Sequence, residues 1–360
     1  MSRLSADEIP SRLQISRPTP EVVAGIDFGD RPITALAFAR FGAELIVAEG
    51  GPPQRDAGAP GRLVFYDLTG KAPRELEQQL PQPTQDMIGS FALLSDDEDD
   101  WLVGGGQRWD QSLKLWRRTG NTWRQVQSIA DFSPWWHRSL QFSRQRSDLA
   151  TVSGDSAGPV RLWRLNRQQQ RLEPRAVLKG PDWAASALAF SDDGHFLAAG
   201  LGSGHHAPND GQIFIWDLFA EPSRLVAEVS ANSSTDISAS NDVTALAWLD
   251  GDHILVSGNQ QGELNLWRKG EDGKLLHTVQ LAGHSRSVRS IIPLASHRFL
   301  TAGDDGHIKL WSNSGEERRE WQFGKAGSVV LAGAISGHHF AAGLSSGRVY
   351  VVNTRLGNND

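Results

Sequence analysis

The sequence predicts an all-β chain of seven repeats, each made of four short antiparallel strands. Three observations lead there. A phrase of turn, alternating strand and terminal aromatic returns at regular intervals, most fully as "AGDDGHIKLW" (302–311) and again as "NDGQIFIW", "QQGELNLW" and "AGPVRLW", ending at Trp216, Trp267 and Trp163. A glycine stands five places before that aromatic in most repeats. Two short apolar runs precede each phrase and a weaker one follows it. A period of this length is the mark of a repeat architecture and takes precedence over other fold reasoning.

The closing residue of each phrase serves as a marker. The series runs Tyr66, Trp116, Trp163, Trp216, Trp267, Trp311 and Val352, with spacings of 50, 47, 53, 51, 44 and 41 residues. Gly61, Gly158, Gly211, Gly262, Gly306 and Gly347 occupy the position five residues upstream, with Gln111 the exception, as a tight turn into a strand favours. In the fourth unit the two preceding runs are "ASALAF" (185–190) and "HFLAAG" (195–200), parted by "SDDG". "VTALAW" and "HILVSG" play this part in the fifth unit, "ITALAF" and "ELIVAEG" in the first. Each run is too short for a helix and is bounded by turn residues, so each is a strand. The weaker runs that follow the markers include "WRQVQSI", "RLVAEVS" and "LLHTVQL". The four strands of a unit are termed a to d, the marker lying on c.

On these residues the chain resembles the WD-repeat β-propellers, over about residues 21–353. The resemblance implies a seven-bladed propeller of four-stranded blades, with "DDG" as the turn between strands b and c. Tyr66-Asp67 and Trp216-Asp217 keep the family's Asp after the marker, and Gly283-His284 is a single copy of its Gly-His pair. The resemblance further implies a buried hydrogen-bonded set of His284, Thr301, Asp305 and Trp311 in the sixth unit. Fragments of it persist as Ser257 with Trp267 and Ser153 with Trp163. A ring needs its ends joined. The seventh unit supplies only strands a to c, and the missing d strand is expected from "EVVAGI" (21–26). Residues 1–20 are then expected to be a flexible extension and 354–360 a tail.

Composition narrows the function classes. The 360 residues contain no cysteine, which excludes disulfides, zinc-thiolate sites and a cysteine nucleophile. The N-terminus lacks the apolar core of a signal peptide, and no run approaches a membrane span. A soluble, cytoplasmic protein with no membrane contact is the expectation. The pairs His205-His206 and His338-His339 fall in glycine-rich loops on opposite faces and lack the spacing of a zinc motif, so no metal or other cofactor is expected. No nucleophile elbow, phosphate loop or dinucleotide fingerprint occurs, and the chain is read as non-enzymatic.

Strand parity assigns the d–a and b–c connections to one face, the top, and the a–b and c–d turns to the bottom. Five of the 13 tryptophans are strand-c markers, while Trp109, Trp135, Trp136 and Trp183 fall in top connections with Arg108 and Arg138 beside them. Tryptophan and arginine together are common interface anchors. Residues 108–179 hold 14 basic and five acidic residues, a local +9 in a chain of −6. Arg117, Arg118, Arg144, Arg146, Arg164, Arg167 and Arg171 place a basic patch on the bottom, beside the acidic turn "SDDEDD" (95–100), with no aromatic residues interleaved. The leading expectation is a scaffold that captures a partner protein or peptide on its top face, as a monomer or a subunit of a hetero-complex. The alternatives are a channel-sited enzyme or small-ligand or metal binder, and docking of an acidic partner or nucleic acid on the basic sector of the second and third units, nucleic acid being disfavoured.

Overall fold

The structure, a computed structural model, describes residues 22–50, 62–70, 72–77, 80, 88–96, 99–106, 112–130, 139–143, 145–152, 159–180, 185–202, 211–231, 242–270, 274–294, 297–323, 330–332 and 339–353. The expectations for residues 1–20 and 354–360 lie outside the described residues.

The alternating runs become seven four-stranded antiparallel sheets. Blade 1 consists of Ile33–Ala39, Glu44–Glu49, Arg62–Asp67 and Arg74–Leu76, and blade 2 of Ile88–Ser95, Asp100–Gly106, Leu113–Thr119 and Thr122–Ile129. Blade 3 takes Ser139–Phe142, Asp148–Val152, Val160–Asn166 and Arg171–Leu178, and blade 4 takes Ala185–Phe190, Phe196–Leu201, Gln212–Asp217 and Arg224–Ser230. Blade 5 runs through Val243–Leu249, Ile254–Asn259, Glu263–Lys269 and Leu275–Ala282, and blade 6 through Val288–Leu294, Arg298–Gly303, His307–Ser312 and Glu317–Gln322. Blade 7 has Val330–Ala332, His339–Leu344 and Arg348–Asn353, with Val22–Asp27 as its outer strand. His339 is therefore a strand residue, paired with Asn353, and not part of a loop as expected.

Burial explains the run compositions. Strand b of blades 1, 4 and 5 is buried at every position because neighbouring blades cover both of its faces. The outer strand of blade 5, Leu275–Ala282, is mostly exposed. Seven hydrophobic clusters hold the ring, each shared by two consecutive blades. One of them joins Ala341, Val349 and Val351 of blade 7 to Ile33, Leu45 and Val47 of blade 1. At that junction a Cβ on Gly343 would lie 2.5 Å from Ile33, as one on Gly258 would lie 2.6 Å from Val288 between blades 5 and 6. The last blade thus meets the first as any blade meets the next.

Val22–Asp27 takes the place of strand d. It pairs antiparallel with Arg348–Asn353, with Ile26 opposite Val349. The Phe28 amide donates to the Gly347 carbonyl at 2.8 Å, matching His284 to Gly262 and Phe323 to Gly306, also at 2.8 Å. The glycines of these turns have positive φ, 91° at Gly262 and 83° at Gly306 and Gly347, which L side chains rarely adopt.

Two bulges recur. The first lies on strand a, where the ladder skips one residue; the Ser186 hydroxyl there donates to the Val243 carbonyl of the next blade, and Thr244 donates to Val288 at 2.5 Å. The second lies at the marker tryptophans of blades 2 to 6, where strand d carries one extra residue. A bulge re-aims a side chain. In blades 2 and 4 the extra residue, Val126 or Val226, packs into a core cluster; in blade 3 it is Arg175. Trp311 does not end strand c, which continues to Ser312.

Deleting residues 1–26 removes the outer strand of blade 7 and bares an edge. A thermal melt of the truncated protein is expected to fall by at least about 5 °C, equivalent to a few kcal/mol in a chain of this size. A melt equal to that of the full chain would sink the role given to this strand.

Candidate functional site

The top of blade 6 carries the buried polar set. Trp311 Nε1 donates to Thr301 Oγ1 at 2.9 Å, and Thr301 Oγ1 lies 2.8 Å from His284 Nε2. His284 Nδ1 lies 3.0 Å from Asp305 Oδ1. One assignment satisfies every member: the threonine hydroxyl donates to Nε2, and Nδ1–H donates to the carboxylate. Asp305 also accepts the amides of Ser285 at 3.0 Å and His307 at 3.1 Å, fixing the b–c turn. Burial pushes the Asp305 carboxyl up, but the hydrogen bonds from His284 and these amides outweigh it and hold the group well below the usual carboxylate range.

Other blades solve the same problem with different residues. Trp267 donates to Ser257 Oγ at 3.1 Å, as expected. Trp163 donates to Thr151 Oγ1 at 3.0 Å, whereas the expected partner, Ser153, lies outside the described residues. Thr151 sits on strand b opposite strand c, so the pairing register brings its hydroxyl within reach. Trp216 reaches the Lys179 carbonyl at 2.8 Å. In blade 5 the Asp position is Gln261, which is exposed, and Asn259 holds the turn by accepting the amides of Gln261 at 3.0 Å and Glu263 at 2.9 Å.

The top-face anchors Trp109, Trp135, Trp136, Trp183, Arg108 and Arg138 all lie outside the described residues, as does Arg144. So do His205, His206 and His338. Among the described residues, no three or more His, Cys, Asp or Glu side chains are placed to hold a metal, and no helix is long and apolar enough to cross a membrane.

The expected bottom patch is largely an ion-pair network. Arg117 pairs with Asp99 at 2.9 Å and packs over Trp101 at 5.4 Å. Arg118 is not at the surface at all. It is 4% exposed, donates to Glu44 Oε1 at 2.9 Å and Oε2 at 2.5 Å, lies 3.4 Å from Asp100, and bridges blades 1 and 2. Arg40 completes this cluster, 3.6 Å from Asp100 and 3.7 Å from Glu44. Arg167 pairs with Asp96 across blades 3 and 2, and Arg171 with Glu173 at 2.8 Å. Arg146 and Arg164 both contact Asp148, at 3.3 and 2.7 Å. The acidic turn at 95–100 thus supplies partners to Arg117, Arg118 and Arg167. Aromatic rings do accompany the arginines, contrary to expectation: Trp101, Trp123 and Phe219 lie against Arg117, Arg118 and Arg146. They come from other strands and turns, so linear order hid the contacts. Arg175 and Phe219 were missed for this reason too.

A closed ring of seven four-stranded antiparallel blades defines a β-propeller. The model of the "WD domain, G-beta repeat" family matches residues 172–217 and 273–312, each spanning the outer strand of one blade and the first three strands of the next, blades 4 and 6. The chain is a seven-bladed propeller that carries WD repeats in these two stretches. The solved structure of Sqt1 from Chaetomium thermophilum superposes with a TM-score of 0.67 over 95% of this chain and 100% of that one, at 14% identity. Curated relatives include telomerase protein component 1 of Mus musculus, 28% identical over 222 residues, covering 60% of this chain and 8% of that protein. A probable cytosolic Fe-S cluster assembly factor of Schizosaccharomyces japonicus is 31% identical over 144 residues, covering 36% of this chain and 22% of that protein. The matched part is thus less than a quarter of either relative.

Two substitutions test the polar clusters. Asp305→Ala is expected to cost about 1–3 kcal/mol, because it strands buried donors, and Gln261→Ala less. Because the Asp305 pKa is depressed in the folded state, its contribution is full above its ordinary value of 3.8 and is lost as pH falls through the folded value. The stability gap between wild type and Asp305→Asn, followed by urea melts against pH, should be flat near neutrality and narrow in acid. Arg118→Ala leaves Glu44 and Asp100 buried without their main cation and should cost about 3–5 kcal/mol. A loss under 1 kcal/mol would show that these carboxylates are not held by Arg118.

Proposed function

We propose that the protein is a non-enzymatic scaffold that binds a partner protein or peptide on the face of the d–a and b–c connections. One observation carries this reading. Every described tryptophan is buried: Trp101, Trp116, Trp123, Trp163, Trp216, Trp248, Trp267, Trp311 and Trp321. The seven inter-blade clusters and the marker positions thus account for these rings. The four that remain, Trp109, Trp135, Trp136 and Trp183, fall in b–c or d–a connections of consecutive blades, with Arg108 and Arg138 beside them. The strand ends that flank these connections all lie on one side of the ring by the antiparallel order of the blades. Recognition commonly resides on connections carried by a rigid scaffold.

Likeness supports the same class of function. A Chaetomium thermophilum Sqt1 structure with this fold is bound to the N-terminus of ribosomal protein L10, and the GID complex subunit 7 of Schizosaccharomyces pombe matches 30% of this chain at 29% identity. The pairing of the bottom arginines weakens the nucleic-acid alternative, since guanidinium groups held by carboxylates release fewer counterions on binding phosphates. A cytoplasmic location is part of the proposal.

Partner capture from the native cell and thermal melting, both applied to Trp136→Ala and Trp183→Ala, test it. Loss of capture equivalent to about 2 kcal/mol or more, with melting unchanged, is the expected result. Arg171→Ala, which breaks an exposed pair with Glu173, should leave both readouts unaltered. Early melting of the tryptophan variants would make the rings core caps and remove the anchors.

A further inference from the structure

Three guanidinium groups converge on one buried carboxylate at the bottom, between blades 3 and 4. Asp148 is fully buried and accepts Arg164 Nε at 2.7 Å and Arg175 Nη1 at 2.7 Å, with Arg146 Nε 3.3 Å away. Arg117, Arg118, Arg167 and Arg171 each have a carboxylate from another residue. Here three cations share one. Among the described residues, Glu221 also acts on Arg175, so three cations there face two acids. Burial lowers the Arg175 pKa, and the like charges of Arg146 and Arg164 add to that against the pull of Asp148 and Glu221.

The cluster is built around an exposed ring. Arg175, the bulged residue opposite Trp163, also donates Nη2 to the Leu218 carbonyl of blade 4 at 2.8 Å. Phe219 follows, 55% exposed, with the Arg146 guanidinium 4.7 Å from its centroid. Its other face stacks on His195 at 4.2 Å and 13°, and His195 stacks in turn on Phe196 at 4.1 Å. Asp148, Arg175, Leu218, Phe219 and Arg146 therefore form a closed circuit that fixes both the cations and the ring. Gly194, with φ of +69°, makes room for it: a Cβ there would lie 2.9 Å from the Arg146 side chain. Groups held this way lose little entropy when a ligand arrives.

We propose that this cluster is a second docking site, for an acidic peptide segment of a partner protein, whose carboxylates meet Arg146, Arg164 and Arg175 while an apolar side chain covers the edge of Phe219. Charge complementarity selects this occupant. Arg164 is the open end, its side chain 48% exposed, and Arg146 and Arg175 are partly accessible at 23% and 17%. Charge-assisted, forked hydrogen bonds to carboxylates are the strongest polar contacts such groups make. A nucleic acid fits less well. Both faces of Phe219 are occupied, so no base can stack on it. The site lies on the face opposite the proposed tryptophan anchors and stands independently of them.

The full chain would be titrated by fluorescence anisotropy with a short labelled peptide of alternating Glu and Leu, the same peptide with Gln for Glu, and a single-stranded DNA oligonucleotide. The Glu peptide is expected to bind, the Gln peptide to bind at least about tenfold more weakly, and added salt to weaken the Glu peptide. Arg164→Gln and Phe219→Ser should each lower affinity about tenfold, while Trp136→Ala leaves it unchanged. Phe219→Ser alters an exposed ring, so it keeps the test open if Arg164→Gln melts early. Equal binding of the Glu and Gln peptides, no binding of either, or affinity unaltered in both variants would overturn the proposal. So would tighter binding of the oligonucleotide that is lost in Arg164→Gln, or loss of the Glu peptide in Trp136→Ala alone.

Discussion

Burial between blades is the constraint on which the rest of the structure depends. A four-stranded sheet with apolar residues on both faces cannot stand alone in water; it must be covered on both sides. Seven blades in a ring satisfy this with seven shared clusters, and only if the seventh interface forms as the other six do. The contact of Ile33 with Gly343 and the pairing of Val22–Asp27 with Arg348–Asn353 supply that interface and complete the last sheet. Segments remote in sequence become adjacent, so the stability of each blade is tied to closure of the whole.

Within that frame each blade must satisfy the polar groups it buries. Blade 6 does so through the chain from Trp311 to Thr301, His284 and Asp305. Blade 5 uses Ser257 for the tryptophan and Asn259 for the turn, and blade 4 uses a backbone carbonyl for Trp216. Geometry is retained while the residues differ, because what the fold requires is a donor or acceptor at a given place rather than a given side chain.

Charge follows a similar logic with a different outcome. The basic sector visible in the sequence is distributed by the fold among carboxylates from other turns: Glu44 and Asp100 take Arg118 into the interior, Asp99 takes Arg117, and Asp96 takes Arg167. Three guanidinium groups share Asp148, where the bulge of strand d turns Arg175 into the cleft between blades. The aromatic and basic groups of the bottom face are organised by those clefts, not by runs of sequence.

The sequence by itself determined the number of repeats, the four-strand unit and the place of the tight turns. These depend on local rules, since alternation marks a strand and a glycine five residues before six of the seven markers permits the positive φ seen at Gly262 and Gly306. It also determined the blade 6 set, because His284, Thr301, Asp305 and Trp311 keep the family spacing. Tertiary structure alone decided which hydroxyl serves Trp163, that Arg118 is buried, and that Phe219 and His195 join Arg146 across two blades. Those contacts depend on the register between strands and on bulges that shift it by one residue. A local pattern carries no record of the partner that a neighbouring blade will present.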